Sequence, residues 1–398
     1  MKYPRNILVD ARGTQEGFRK HKQRGIGHYA YNVLKRLPQV TDEIRFTYLV
    51  DPDIAIEPSF LKQNLSFFPY RTNISSFDSL KYFKTELYLG SALKGRGFNF
   101  AHFLFHEDAF LTAPFPYCVT IFDTILMSAR HLYTPFQNFK HMVTQRMARH
   151  IVKRTIAVFT ISEYSKKEIV RHYCVHPEDI YVIYLGVDDC YFRNHSQSLL
   201  EGIRTKYCLP YDYFLYVGGI DPRKNIPNLL QALSILCSQD PDFPPLVFAG
   251  QISDQKEYPQ VLKLIQTLNL KSKVLLVGYV PNNDLSLLFA SSRAFVFPSM
   301  YEGFGLPIVE AMASGTPVIT TRLAAIPEVA GEAALYIDAY DPKTIAEGMK
   351  SILNNTSLMN RLREEGKRQA RKFSWDRTAQ ETVKAYLSLS KRFKLSDE

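Results

Sequence analysis

Cysteine is scarce and does not pair by spacing. The five residues Cys118, Cys174, Cys190, Cys208 and Cys237 are odd in number and include no C-x-x-C pair. That argues against a disulfide framework and a structural zinc site, and it predicts a reducing cytoplasmic setting. Long hydrophobic runs are also missing. The first residues, MKYPRNILVDAR, contain no apolar stretch of signal-peptide length. Nowhere do about 18 apolar residues follow one another, so no membrane-spanning helix is expected. The histidines lack H-E-x-x-H and H-x-E…C-x-x-C spacing, so no metal site is read. Internal repeats and low-complexity tracts are absent as well. Acidic residues are outnumbered: the formal net charge is +10. The surplus favours anionic partners, such as nucleotides, phosphates or acidic lipid heads, without choosing among them.

What remains is an ordinary globular composition, 46% hydrophobic and 22% charged, in a chain of 398 residues. That length is too great for one core and predicts two domains. Short apolar runs alternate with longer amphipathic segments, the pattern of parallel sheets covered by helices. In the first half NILVD (6–10), FTYLV (46–50), YCVTIF (117–122), AVFTI (157–161) and YVIYL (181–185) read as strands. Helices are expected near 27–37, 137–154 and 163–172, the last capped by either Ser162 or a Ser165–Glu168 pair. The second half repeats the pattern with strands near 213–219, 246–250, 274–278, 294–299, 317–321 and 334–338, and with an amphipathic helix over 226–236. Two sets of βα units imply two doubly wound domains. The stretch 189–212 has no persistent period and marks the boundary. The end of the chain, FSWDRTAQETVKAYLSLSKRF, reads as a long helix.

Five segments carry candidate chemistry. In SMYEGFGLPIVEAM (299–312), Gly303 and Gly305 allow close backbone approach, and Pro307 suits the first turn of a helix over 308–314. Backbone amides of residues 303–308, Leu306 among them, would then face an anion at the end of a strand. Glu302 lies just before this helix and Glu310 one turn inside it. Two carboxylates beside an anion site make sense if they grip hydroxyls, and a nucleotide sugar offers both groups. Spacing alone reads equally as a dipole-complementing acid and a solvated loop acid. In YVGGIDPRKNIPNLL (216–230), Arg223 and Lys224 stand between a strand end and a helix start, suited to a diphosphate. Exposed loop cations are the bland alternative. In RGIGHYAYNVLKRL (24–37), Gly25 and Gly27 form a loop at a helix start. Ala30 holds the third position of a G-x-G-x-x-G pattern, and the basic loop ARGTQEGFRKHKQ intervenes, so the dinucleotide motif is incomplete. His102, His106, Glu107 and Asp123 follow or end strands and are candidate bases or sugar ligands, packing being the alternative for each histidine. Between 130 and 172, Arg130, Lys140, Arg146, Arg149, Lys153, Arg154, Lys166, Lys167 and Arg171 face only Glu163 and Glu168 among acids. With Phe136, Phe139, Met142 and Met147 interleaved, this is a candidate surface for an anionic bilayer or a solvated basic helix side. The basic residues follow helix faces rather than aromatic-studded strands, so no nucleic-acid partner is expected.

Taken together, PSMYEGFGLPIVEAMASGTPVI, GGIDPRKNIPNLLQAL, TISEYSKKEI, YLGVDD, GYVPNNDLSLLFASS and IPEVAGEAALYIDAYDP resemble, in order, the group 1 (family 4) retaining glycosyltransferases of the GT-B fold. GIGHYAYNVL resembles the family's N-terminal glycine loop. Bacterial polysaccharide mannosyltransferases are among the members it is similar to. The resemblance implies an α/β GT-B fold, two doubly wound Rossmann-like domains facing a central cleft. Residues 1–200 would bind the acceptor and 201–375 the nucleotide sugar, with a helix over 376–398 crossing back. It implies that Glu310 grips the donor ribose. Glu302, with Gly303, Phe304, Gly305 and Leu306, would hold the transferred sugar. Arg223 and Lys224 would bind the diphosphate, and Gly278, Tyr279 and Val280 would lie beside the base. Gly25 and Gly27 would approach the diphosphate or acceptor. Two positions depart from the family pattern. Phe122 stands where many members have a histidine before Asp123, which leaves Asp123, His102 and His106 as acceptor-side candidates. Gly219 stands where many have an arginine.

The implied activity is retaining, metal-independent hexose transfer, with mannose a candidate, from a GDP- or UDP-sugar. The acceptor would be a glycan or lipid-linked molecule in polysaccharide or lipopolysaccharide assembly. No cofactor is expected. The setting would be cytoplasmic, with peripheral contact at the inner face of the cell membrane. An epimerase acting on the same donor, and a non-catalytic sugar- or lipid-binding scaffold, are the alternatives.

Overall fold

The computed structural model describes residues 5–18, 25–62, 65–71, 88–109 and 115–392, and all side chains of these except 135–141, 143 and 144. The chain divides into two compact units. Unit 1 comprises residues 1–128, 135–186 and 375–398; unit 2 comprises 129–134 and 187–374.

Unit 1 is built on a seven-stranded parallel sheet. Its strands are β1 (Arg5–Asp10), β2 (Ile44–Val50), β3 (Ser66–Pro69), β4 (Phe100–Phe103), β5 (Tyr117–Ile121), β6 (Ala157–Thr160) and β7 (Ile180–Val182), in the order β3-β2-β1-β4-β5-β6-β7. The central strands read as near-continuous apolar runs because helices cover both faces. Ile7, Leu8 and Val9 are all buried, as are Cys118, Val119 and Ile121. Helix α1 (Gly25–Val40) buries Tyr29, Val33, Leu34 and Leu37 at helical spacing. Helices α2 (Pro135–Val152) and α3 (Glu163–Tyr173) follow. Ser162, not Ser165, caps α3, and its Oγ accepts from the Ser165 amide at 3.0 Å.

The C-terminal helix, Trp375–Arg392, packs on α1 within this unit. Trp375 is buried edge-on to His28, Arg36 Nε donates to Asp376 at 2.7 Å, and Thr378 Oγ1 donates to the Tyr184 carbonyl at 2.7 Å. Tyr386 reaches the sheet itself, where its hydroxyl bonds to His102 of β4.

Unit 2 carries a six-stranded parallel sheet: β8 (Phe214–Val217), β9 (Leu246–Ala249), β10 (Val274–Gly278), β11 (Ala294–Phe297), β12 (Val318–Thr321) and β13 (Leu335–Ile337). Their order is β10-β9-β8-β11-β12-β13. Helices α4 (Ile226–Gln239), α5 (Asn282–Ser291), α6 (Leu306–Ala313), α7 (Pro342–Asn354) and α8 (Thr356–Ala370) cover the sheet; α4 packs against α7, and α6 against α8. In each sheet the strand order reverses once, between β1 and β4 in unit 1 and between β8 and β11 in unit 2. Doubly wound sheets bind ligands beyond the carboxyl ends of the strands at such reversals.

Candidate functional site

The reversal in unit 2 positions the first group of side chains. Strand β8 runs into Gly218, whose amide bonds to the Ala249 carbonyl at 2.9 Å, and Gly250 in turn bonds to the Gly278 carbonyl at 2.8 Å. A Cβ at Gly250 would lie 2.1 Å from the Gly218 carbonyl oxygen, so only glycine allows the two strand ends this approach. Past Gly219 the chain makes a single helical turn, Pro222–Lys224. Asp221 opens that turn, its Oδ1 accepting from the Arg223 amide at 3.2 Å. Asn225 closes it in the left-handed conformation, at φ 61°. The buried Asn225 amide donates to the Pro298 and Ala339 carbonyls, at 3.2 and 2.6 Å. The turn is thereby fastened to the ends of β11 and β13.

Strand β11 delivers the partner. Glu302, 7% exposed, accepts from Arg223 Nη1 at 2.8 Å on Oε2, and from Lys224 Nζ and Ser299 Oγ on Oε1, both at 2.6 Å. Arg223 also donates to the Tyr301 carbonyl at 3.1 Å, and its own carbonyl accepts from the Met300 amide at 2.7 Å. Lys224 lies over the Phe297 ring, 4.6 Å from its centroid. Burial alone would push the Glu302 carboxyl up. The charges of Arg223 and Lys224, with the bonds from Lys224 and Ser299, outweigh it and hold the group at about 2. Burial, reinforced by Arg223, pushes Lys224 down to about 8 against the pull of Glu302. Arg223, one quarter exposed, also lies 3.6 Å from Asp221 through its Nε, so the two cations face two acidic side chains, the buried Glu302 and the more exposed Asp221.

Next to it, Gly305 at φ 95° starts α6, with Pro307 in its first turn. The helix begins two residues earlier than the 308–314 expectation. No side chain among the described residues caps it. Phe304 is buried edge-on to Phe373, with centroids 5.5 Å apart, so only its backbone is available to a ligand. Glu310 lies within α6 and is 7% exposed. Beside it are Tyr191 and Cys190, from the segment that follows Val187. At the end of β10, Gly278 has φ 71°, Val280 is buried and Tyr279 is 66% exposed. The structure brings together three of the sequence candidates, Glu302, Arg223 and Lys224, with Asp221 and Ser299 as contacts that the sequence reading did not name. For Asp221 a signal was present, an Asp-Pro pair opening a turn. Ser299 and Tyr191 carry no local signature.

In unit 1 the candidates separate. Gly25 and Gly27 are the first residues of α1 rather than a loop. His102, expected as a candidate base, is fully buried. Its Nδ1 bonds to the Tyr386 hydroxyl at 2.6 Å and its Nε2 to Thr120 Oγ1 at 2.9 Å. Burial pushes the imidazole down to about 3, so it is neutral. His102 ties β4 to the C-terminal helix and to Thr120. His106 is buried in the turn His106–Asp108, its ring 4.9 Å from Phe105. Asp123 follows β5 and accepts from the Ile125 amide at 3.0 Å. Phe122, at the position where many relatives are expected to carry a histidine, stands edge-on to Tyr29 with 5.2 Å between centroids.

The basic run lies on α2, α3 and the turns beside them, with Arg146, Arg149, Lys153, Arg154, Lys167 and Arg171 exposed. Side chains Phe136, Phe139 and Lys140, and residues 19–24 of the basic loop, fall outside the described residues. Among the described residues no helix is long and apolar enough to cross a membrane, and no metal-binding cluster of His, Cys, Asp and Glu occurs.

Comparison with known proteins covers both units. The family model "Glycosyl transferases group 1" matches residues 209–369, and "Glycosyltransferase Family 4" matches residues 24–190. The O-antigen chain mannosyltransferase B of Escherichia coli is 32% identical over 269 residues, 67% of this chain and 69% of that protein. A serotype-specific mannosyltransferase, WbdA, of the same organism is 27% identical over 67% of this chain, which spans only 33% of that longer protein. Among solved structures, sucrose-phosphate synthase from Thermosynechococcus elongatus superposes with a TM-score of 0.77 at 19% identity, over 98% of this chain and 100% of that one. At that identity the likeness is one of fold.

Proposed function

This chain belongs to the group 1, family 4 glycosyltransferases, and from that membership we propose that it moves a hexose, mannose first, from a nucleoside diphosphate sugar to a glycan or lipid-linked acceptor. The relatives' names support cell-surface polysaccharide or lipopolysaccharide assembly as the setting. The observation that carries the donor side is the Arg223–Glu302–Lys224 cluster at the strand reversal of unit 2.

In this reading Arg223 and Lys224 bind the diphosphate and balance the charge that grows on it as the anomeric C–O bond breaks, which makes a metal unnecessary. Glu302 holds the two cations in place before the donor arrives. It then turns toward the hexose hydroxyls, with the Gly303–Leu306 backbone beside it. Glu310 takes the ribose hydroxyls, and Gly278, Tyr279 and Val280 border the base. Asp123 is assigned to the acceptor side. The acceptor oxygen forms the new bond on the face from which the diphosphate leaves, so configuration is retained. Its proton passes to the departing phosphate oxygen, and the products are the glycoside and the nucleoside diphosphate. Contact with an anionic membrane surface is assigned to the basic faces of α2 and α3.

The test is product analysis with GDP- and UDP-hexoses and an acceptor panel. Lys224→Ala and Glu310→Ala should each lower transfer by at least about a hundredfold. Near-normal rates in both variants would remove the assignment. An epimerised nucleotide sugar formed without acceptor would replace transfer by epimerisation.

A further inference from the structure

Glu302 is held by two cations and a serine, whereas the side chains found beside Glu310 are of another kind. Segment Asp189–Phe192 packs against α5 and α6 within unit 2. It carries Tyr191, which is completely buried, with its ring 6.1 Å from Phe289. Burial raises the Tyr191 hydroxyl above its usual range, and the neighbouring Glu310 carboxylate raises it further. Cys190, half-buried, is pushed up to about 11 by burial and by the charges of Asp188 and Glu310. Both neighbours therefore stay neutral and protonated. The Tyr191 hydroxyl oxygen is enclosed, and the Glu310 carboxylate lies within hydrogen-bonding reach of it without meeting full hydrogen-bond geometry. A buried hydroxyl in that condition is costly and uncommon. A phenylalanine would fill the same space without the cost.

We propose that Tyr191 is a positioning residue of the donor site, whose hydroxyl bonds to one Glu310 oxygen when the nucleotide is bound and leaves the other to the ribose hydroxyls. The proposal rests on the reading of Glu310 as the ribose ligand. The stoichiometry suits it: a carboxylate accepts about four hydrogen bonds, enough for one phenol and a vicinal diol. A neutral donor also orients the carboxylate without an ion pair that would compete with the diol. Nucleotide binding would draw the phenol and the carboxylate from mere proximity into full hydrogen-bond geometry.

The experiment measures binding of UDP and GDP, and of their 2′,3′-dideoxy forms, by calorimetry on the full chain. Wild type, Tyr191→Phe, Glu310→Ala and the double variant are compared, with thermal unfolding of each in the apo state. Tyr191→Phe should weaken the ribonucleotide about tenfold and leave the dideoxy form within about twofold of wild type. It should add nothing in the Glu310→Ala background, and it should melt no lower than wild type. If wild type binds ribo and dideoxy forms equally, the ribose reading of Glu310 falls and takes the proposal with it. If wild type distinguishes them and Tyr191→Phe does so equally well, the proposal alone is overturned. A Tyr191→Phe protein that melts lower and loses both forms in parallel also overturns it, because the hydroxyl would then be structural.

Discussion

Replacing Glu302 by glutamine removes one charge and almost no volume, and its cost can be worked from the cluster. A carboxyl held at about 2 instead of 4.5 contributes about 3 kcal/mol at neutral pH. Glutamine keeps one oxygen for Arg223, Lys224 and Ser299 and turns an amide N–H₂ toward one of the cations. Glu302→Gln should therefore lose about 3 kcal/mol at pH 7, measured by urea denaturation followed by circular dichroism. The pH dependence follows from the directions of the two shifts. The Glu302 contribution is fully present above about 4.5 and is lost as pH falls toward 2, so the variant and wild type should converge in acid. Lys224 is held at about 8, below its usual 10.5, so the folded state releases its proton first and wild-type stability rises between those values. Without Glu302, only burial and Arg223 act strongly on Lys224, and the rise begins below 8. The deficit of the variant should be greatest near pH 5, shrink as pH approaches 8 while only the variant gains stability, and stay level above 8, where both proteins gain in parallel. A deficit below about 0.5 kcal/mol at pH 7, the size typical of a surface pair, would refute the buried cluster. So would a deficit that grows above pH 8.

Two further outcomes follow from the packing. Gly250→Ala places a Cβ against the Gly218 carbonyl in a backbone conformation of φ +157°; it should cost at least about 3 kcal/mol and weaken nucleotide binding, because the β8 end that leads into the Arg223 turn must move. A melting temperature and a nucleotide affinity equal to wild type would refute the close approach. Tyr386→Phe strands the buried Nδ1 of His102 and should cost about 1–3 kcal/mol with kcat and KM unchanged; a fall in acceptor kcat/KM at unchanged stability would return His102 to the chemistry.

The parts of the fold legible in the sequence are those whose information is local. Apolar runs such as Ile7–Val9 and Phe295–Phe297 are buried on both faces and read directly as strands. Gly305 and Pro307 bracket the start of α6 with recognisable chemistry. Strand β3, four residues ending in Pro69, and β4, with His102 in its middle, carry no such pattern. His102 is tolerated there because Tyr386, 284 residues later, meets one ring nitrogen and Thr120 meets the other. No window of sequence contains that pairing. The same limit applies at the candidate site. Residue types pointed to Glu302, Arg223 and Lys224, but their contact spans 78 and 79 residues and exists because β8 and β11 are neighbours at the strand reversal. Tyr191 lies beyond the reach of pattern altogether, since only the packing of Asp189–Phe192 on α6 brings it beside Glu310.

The contact between Glu302 and the two cations resolves a difficulty that spacing left open, a carboxylate beside a site meant for phosphate. Lys224 is 9% exposed and sits next to Arg223. Burial and a like charge both favour its neutral form, and with Glu302 in contact it still titrates at about 8. Remove the acid and the balance tips further toward a neutral amine near physiological pH, which would attract a diphosphate far less. Glu302 therefore does not oppose anion binding. In the proposed reading it keeps a buried lysine charged and fixed through a bond that an arriving diphosphate replaces with its own oxygens. On this argument donor affinity in wild type should decline as pH rises through about 8, and in Glu302→Gln the decline should set in at lower pH. Titration of nucleoside diphosphate binding between pH 6 and 9.5 decides the matter, and identical pH profiles for the two proteins would show that Glu302 does not govern the Lys224 charge.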